Sequence, residues 1–490
     1  MADRYWVGGS GTWNNSSTAN WAATSGGASG ASAPTTADNV FFDANSGTAA
    51  TVSIAASAVC NASTINKADI ILSLVGSPTF VGVLTLTTGS ISLNSYTLTL
   101  LNFISNNTNT RSVAFGTGKI VATGSGSAWD VRQANFTCTG SRVVDLTYTG
   151  AVLRVVRHGY TVVYSESNGI YLNVIGGTGE LRIGNDGAST LIDLICTGFT
   201  GLLKWGLVYI YGNMSLSAGA TTIPFDAGNV NFAPSFVATT GSKTITTNGV
   251  TLNNIVYING IGGTWVLQDD MTIATAYYLR LVNGTFDANN KNVTLGALTL
   301  AAGTKTLTLG SGTWTVTGTV WDTNTNVSGL TVSASTGIIS MTSASAKTFA
   351  GGAKTWPTLN QGGSGALTIQ QSNTFANITD TVQPATVTLT AGTTQTVSAF
   401  SLAGTAGNLI TLNTNISGVQ ATLSDSSGVN SVSFVSIKDI NATGGAIWDA
   451  PTTNGNVDAG NNTGWNFGIP FSYDIEFSPA LRSFTERKHF

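Results

Sequence analysis

Short runs in which apolar and polar residues alternate recur along almost the whole chain, each stopped by Gly, Asn or Ser after three to six residues. Examples are LTL at 84–86, YTLTL at 96–100, VTL at 293–295 and at 387–389, LTL at 307–309 and WTV at 314–316. Alternation puts every second side chain on one face of an extended strand. A strand that short cannot bury its face alone, so repetition over hundreds of residues implies stacked rungs. The expected fold class is all-β, a β-solenoid or parallel β-helix.

An internal duplication sharpens this. Residues 84–100 lie over 279–295 without a gap, matching Leu84 to Leu279, Gly89 to Gly284, Asn94 to Asn289 and Leu100 to Leu295. The match resumes as TRSVAFGTG (110–118) against TKTLTLGSG (304–312), and as Trp129-Asp130 against Trp321-Asp322. Apolar and turn residues are preserved, as they would be between equivalent rungs. Asp130 and Asp322 are expected to serve turns.

Composition agrees. Charged residues are 9% of the chain, against roughly 25% in a typical soluble domain. Gly contributes 58 of 490 residues, and an apolar content of 42% argues against disorder. A net charge of −3 without a basic stripe excludes nucleic acid as an expected partner. Cys60, Cys138 and Cys196 are far apart and the histidines are His158 and His489, so no metal site, cofactor or disulfide framework is expected. No run is apolar and long enough for membrane insertion. The opening MADRYWVGGSGTW lacks a basic and an apolar region of the secretory kind, so synthesis in a host cytoplasm and release by lysis are expected.

Residues 1–45, with Tyr5, Trp6, Trp13 and Trp21, read as an aromatic N-terminal cap. Residues 46–468 read as the solenoid, in two related blocks of approximately 46–240 and 241–468, and 469–490 as a docking tail. At about 20–25 residues per rung the solenoid would hold about 17–20 rungs, a rod roughly 80–100 Å long. A Gly-x-Gly-Thr-Trp motif ends at Trp13 and Trp314, with variants ending at Trp265 and Trp356. These Trp residues are expected in the core just past a Gly corner, rather than as an exposed row for stacking sugars.

The motifs RYWVGGSGTW (4–13), PTTADNVFFD (34–43), GGAKTW (351–356), AGTTQTV (391–397), GTAGNLI (404–410), ATGGAIW (442–448) and GNNTGWNF (460–467) together resemble large β-helical virion appendage proteins of phages and prophages. The resemblance spans most of the chain. It implies a virion structural protein, such as a tail fibre, tailspike or capsid decoration, acting as a rigid adhesive rod that attaches to host-surface polysaccharide. Other virion proteins are its implied partners, and a homo-oligomer such as a trimer is expected. The resemblance carries over no catalytic residue.

The alternative is a polysaccharide-depolymerising tailspike, which needs two carboxylates on one face. The only adjacent acidic pair is Asp269-Asp270, expected in a turn. The most charged stretch, 130–182, supplies the candidate ligand or subunit contact: Arg132, Arg142, Arg154, Arg157, Tyr160, Tyr164 and Tyr171. In the tail, Phe471, Tyr473, Phe477, Phe484 and Phe490 are the candidate virion-docking residues. Asp43-Ala-Asn45 and Asn185-Asp186-Gly187 are at most weak calcium contacts.

Overall fold

A computed structural model describes residues 1–159, 165–184, 188–224, 226, 232–333 and 335–468. The chain winds as a succession of short strands into a three-sided β-solenoid of about 18 turns. Each strand pairs in parallel with its counterpart one turn before and one turn after. On the first face, for example, Leu84 lies beside Phe103, then Trp129, Val156, Ile183 and Trp205 follow in register. All six side chains point inward and are buried. Burying one such side chain contributes about 1.5–3 kcal/mol, so the column formed by alternating runs is the main source of cohesion.

The second face carries Leu72, Ile91 and Val113 in register, and the third carries Leu98, Ile120, Val144 and Leu172. One first-face junction is made by side chains as well as backbone. Thr222 Oγ1 donates to the Thr251 carbonyl at 3.0 Å and accepts from the Asn253 amide at 3.0 Å.

The duplicated segments do not occupy the same face. Leu84 stands in the first-face column, whereas Leu279 pairs with Val256 and Leu298 on the second. Leu98 stands on the third face, and its counterpart Val293 pairs with Met271 and Trp314 on the first. A strand–corner–strand unit specifies its corner and its inward residues, and any of the three faces satisfies both.

The corners show why Gly and Asn are preserved. Gly89 and Gly284 have φ of 99° and 82°, and a Cβ at either would collide with a carbonyl of the preceding turn, of Lys67 and of Gly260 respectively. Asn94 and Asn289 are also left-handed, with φ of 56° and 49°. Each donates its side-chain amide to a carbonyl one turn back, Leu74 at 2.7 Å and Leu267 at 3.0 Å.

Both ends are capped. Trp6, Trp13 and Trp21 pack against Phe42, with ring centroids 5.0 Å apart for Trp6–Trp21 and 5.5 Å for Trp13–Trp21. Strand Trp21–Ala22 pairs antiparallel with Asp3–Trp6 and covers the first edge. At the other end, Trp465 packs on Trp448 at 5.3 Å. Asn462 there accepts from the Ile440 amide at 3.0 Å and donates to the Ile437 carbonyl at 2.7 Å. The N-terminal edge is thereby covered against strand addition from outside, whereas Val457–Asp458 and Trp465–Asn466 each end a sheet on a single pairing.

Trp13, Trp265, Trp314 and Trp356 are all in the core. The indoles of Trp314, Trp356 and Trp448 each donate to the carbonyl five residues earlier, of Leu309, Gly351 and Thr443, at 3.0–3.1 Å. At Trp314 and Trp356 the motif therefore closes a corner with its own indole, whereas the Trp13 and Trp265 indole nitrogens are buried without an acceptor among the described residues.

Replacing Gly284→Ala should lower stability by at least about 2 kcal/mol, from both left-handed strain and overpacking. Urea unfolding followed by circular dichroism checks this; an unchanged midpoint would show that the corner can yield.

Candidate functional site

The residues of the 130–182 stretch fall into separate settings. Asp130 lies on strand Gly126–Val131, opposite Arg157 in register, and not in a turn as expected from its match to Asp322. Arg132 grips its carboxylate with Nε at 2.8 Å and NH2 at 3.0 Å, and Arg157 approaches at 3.5 Å. The difference arises because the outward strand position opposite an Arg favours a carboxylate. Asp322 does serve a turn, accepting from the amides of Asn324 and Thr325.

On the same strand as Arg157, Arg154 is fully buried. Its NH2 donates to the Gly176 carbonyl at 3.0 Å, and its guanidinium lies 5.3 Å from the Phe199 ring. Its Nε and NH1 are buried without an acceptor among the described residues. Arg142, in a left-handed conformation, donates to the carbonyls of Glu166, Ser167 and Gly169 at 2.8–3.2 Å and lies 6.0 Å from the ring of Tyr171. Thus Arg132 and Arg157 share one carboxylate, Arg142 and Tyr171 flank a 3₁₀ turn at Glu166–Asn168, and Arg154 belongs to the interior. Tyr160, Tyr164, the Asn185-Asp186-Gly187 segment and all five tail aromatics lie outside the described residues.

The acidic pair divides between neighbours. Asp269 accepts from the amides of Thr247 and Asn248 in the preceding turn, whereas Asp270 accepts from Asn292 in the following one, at 2.8 and 2.9 Å. The Asn292 side chain holds the Asp270 carboxyl below its ordinary range, so it stays ionised as a corner clamp. Asp43 likewise accepts from the Asn45 amide within its own loop. Among the described residues, no three His, Cys, Asp or Glu side chains converge as a metal would need. The Cys138 and Cys196 thiols are pushed up to about 11 and about 12 by burial, which keeps both protonated at neutral pH.

The candidate residues read from the sequence do not include the buried cations. Arg111, Lys305 and Lys347 are almost fully buried and point into corners, each surrounded by backbone carbonyls. Lys305 Nζ donates to Ala301, Gly303 and Ser328 at 2.7–3.2 Å, and Lys347 Nζ to Ser343, Gly363 and Gly365. Arg111 reaches the carbonyls of Ser105, Asn109, Gln133 and Ala134. Each cation opens a strand and spans two successive turns. The duplication did align Arg111 with Lys305, at an inward position of an alternating run, and that was the available signal.

His158 forms a further lock, of a neutral kind. Its Nδ1 accepts from the Trp129 indole at 3.1 Å, and its Nε2 donates to the Asn168 carbonyl at 2.6 Å. Burial pushes the imidazole down to about 4. With Arg142 on the other side, it fixes the 3₁₀ turn.

No protein-family model, curated protein or solved structure matches the chain.

Lys347→Met leaves three carbonyls without a donor and should cost about 2–4 kcal/mol at neutral pH, read as a lower urea midpoint. A gain in stability would show that relief from burying the charge outweighs the lost bonds. For His158, the unfolded imidazole takes a proton near 6.5 and the folded one near 4. The stability it supports is therefore complete above that window and falls as pH drops through it, by roughly 3 kcal/mol in all. Thermal melts from pH 7 to 4 should show a steeper acid decline than those of His158→Gln; parallel declines would refute the assignment.

Proposed function

We propose that the chain is a virion structural protein, a rigid adhesive rod that holds a binding surface away from a phage particle, and that it works by binding and spacing rather than catalysis. The observation that carries this is the continuous parallel winding closed by an aromatic cap at each end. About 18 turns at ~4.8 Å each make a stiff spacer roughly 85 Å long. Such a rod pairs its backbone from turn to turn and covers its N-terminal edge against other strands. Its few carboxylates support the non-enzymatic reading, because Asp269, Asp270, Asp322 and Asp130 are each engaged in a corner or an ion pair.

In this reading the rod binds host-surface polysaccharide through repeated weak contacts. The tail 469–490, with Phe471, Tyr473, Phe477, Phe484 and Phe490, docks on other virion proteins, and copies of the rod associate as a homo-oligomer such as a trimer. The protein reaches the particle in the host cytoplasm and leaves by lysis.

Particles purified from a lysate and labelled with antibody against the chain should carry rods of this length, and a chain truncated after 468 should stay soluble. Labelling confined to the particle-free fraction would overturn the reading. Release of reducing ends from host capsule, abolished by replacing acidic residues, would make it an enzyme instead.

A further inference from the structure

The two aromatic caps are not equally complete. At the first end Trp6, Trp13 and Trp21 are fully buried, and the strand Trp21–Ala22 folds back antiparallel on Asp3–Trp6. At the other end Trp465 and Phe467, on the last described turn, are only partly buried against the core. Two strands there stop their sheets on a single pairing, Val457–Asp458 on Val435–Ile437 and Trp465–Asn466 on Ile447–Asp449. Val457 is 43% exposed. The Asn466 carbonyl accepts from the Ala450 amide at 2.9 Å, toward the turn before. Successive backbone groups of a strand point to opposite sides, so Trp465 turns its own N–H and C=O to the unpaired side. An edge of this kind is a template for one more strand.

The sequence that follows has the form of that strand. Phe471-Ser-Tyr473-Asp-Ile475-Glu-Phe477 alternates without a fault, with Phe, Tyr and Ile on one side and Ser, Asp and Glu on the other. Pro479 stops the run. Only Ile469 and Pro470 separate it from Gly468, where the described chain ends beside the open edge. A linker that short holds the segment against its own rod at a high effective concentration, which favours it over a second copy as the occupant. Its apolar side suits the half-covered rings of Trp465 and Phe467, and its polar side suits water.

We propose that the open C-terminal edge is a docking surface for the chain's own segment 471–477, which adds as a final strand and lays Phe471, Tyr473, Ile475 and Phe477 over the end of the core. Its addition satisfies the unpaired backbone groups of the last turn and takes Trp465 and Phe467 out of water, as the folded-back strand does at the first end. The edge is then closed to strands of other molecules. This stands apart from the virion reading, under which docking falls to the rest of the tail, with Phe484 and Phe490.

Hydrogen exchange of the purified full chain, compared with a chain ended at Gly468, tests the cap. Amides of residues 457–467 should exchange at least about tenfold more slowly in the full chain. Those of the mid-rod strand Leu367–Gln370 should exchange alike in both, which shows that the shortened rod is folded. In the full chain, Tyr473→Asp with Ile475→Asp should exchange at the shortened chain's rate. Asp474→Asn with Glu476→Gln, on the solvent side, should stay slow. Equal rates in the full and shortened chains would overturn the proposal, as would equal acceleration by both pairs of substitutions. Slow exchange that is lost on dilution, in step with a falling mass in light scattering, would give the edge to a second copy and overturn it too. Particles without rods would sink the appendage reading and leave the cap standing; rods on particles whose chain shows equal rates would do the reverse.

Discussion

Rung-to-rung pairing of the backbone is the interaction on which everything else depends. Each turn donates to and accepts from its neighbours, so the N–H and C=O groups that an isolated short strand would expose are satisfied along the rod. Solubility then needs little charge. The liability is confined to the two ends, and there the aromatic residues collect: Trp6, Trp13 and Trp21 at one, Trp448 and Trp465 at the other.

A ladder of this kind can be continuous only if the chain turns between faces without orphaning the carbonyls of its corners. Left-handed Gly and Asn make the bends, and Asn94 and Asn289 use their amides to bind the turn before. Where a corner is tighter or deeper, an indole or a cation does the same work. A buried ammonium is tolerated because three carbonyl dipoles face it, as around Lys305, and charge-assisted bonds are stronger than neutral ones. This explains how a chain so poor in charge sinks several of its cations into the interior. His158 belongs to the same economy of corner locks, held neutral by burial between Trp129 and Asn168.

Alternation at period two made the solenoid, its inward residues and its Gly and Asn corners legible, because these depend on neighbours within a few residues along the chain. The end motifs were legible as caps for the same reason. Alternation could not say which residues meet across rungs. The offset between bonded partners in successive turns is 17 residues for Asn466 and Asp449 but 32 for Asn248 and Leu216. With a variable turn length, register must be found in space. Asp130 therefore reads as a turn residue in the sequence although it faces Arg157, and Arg154 as a ligand or subunit contact although it is buried.

The sequence by itself determined a β rod with apolar columns inside, sharp corners and closed ends, since short-range patterning and turn chemistry suffice for that. Only the tertiary structure decided that the duplicated units sit one face apart and that lone cations cap the corners. Those are relations between side chains a full turn apart, and only the winding of the backbone brings them together.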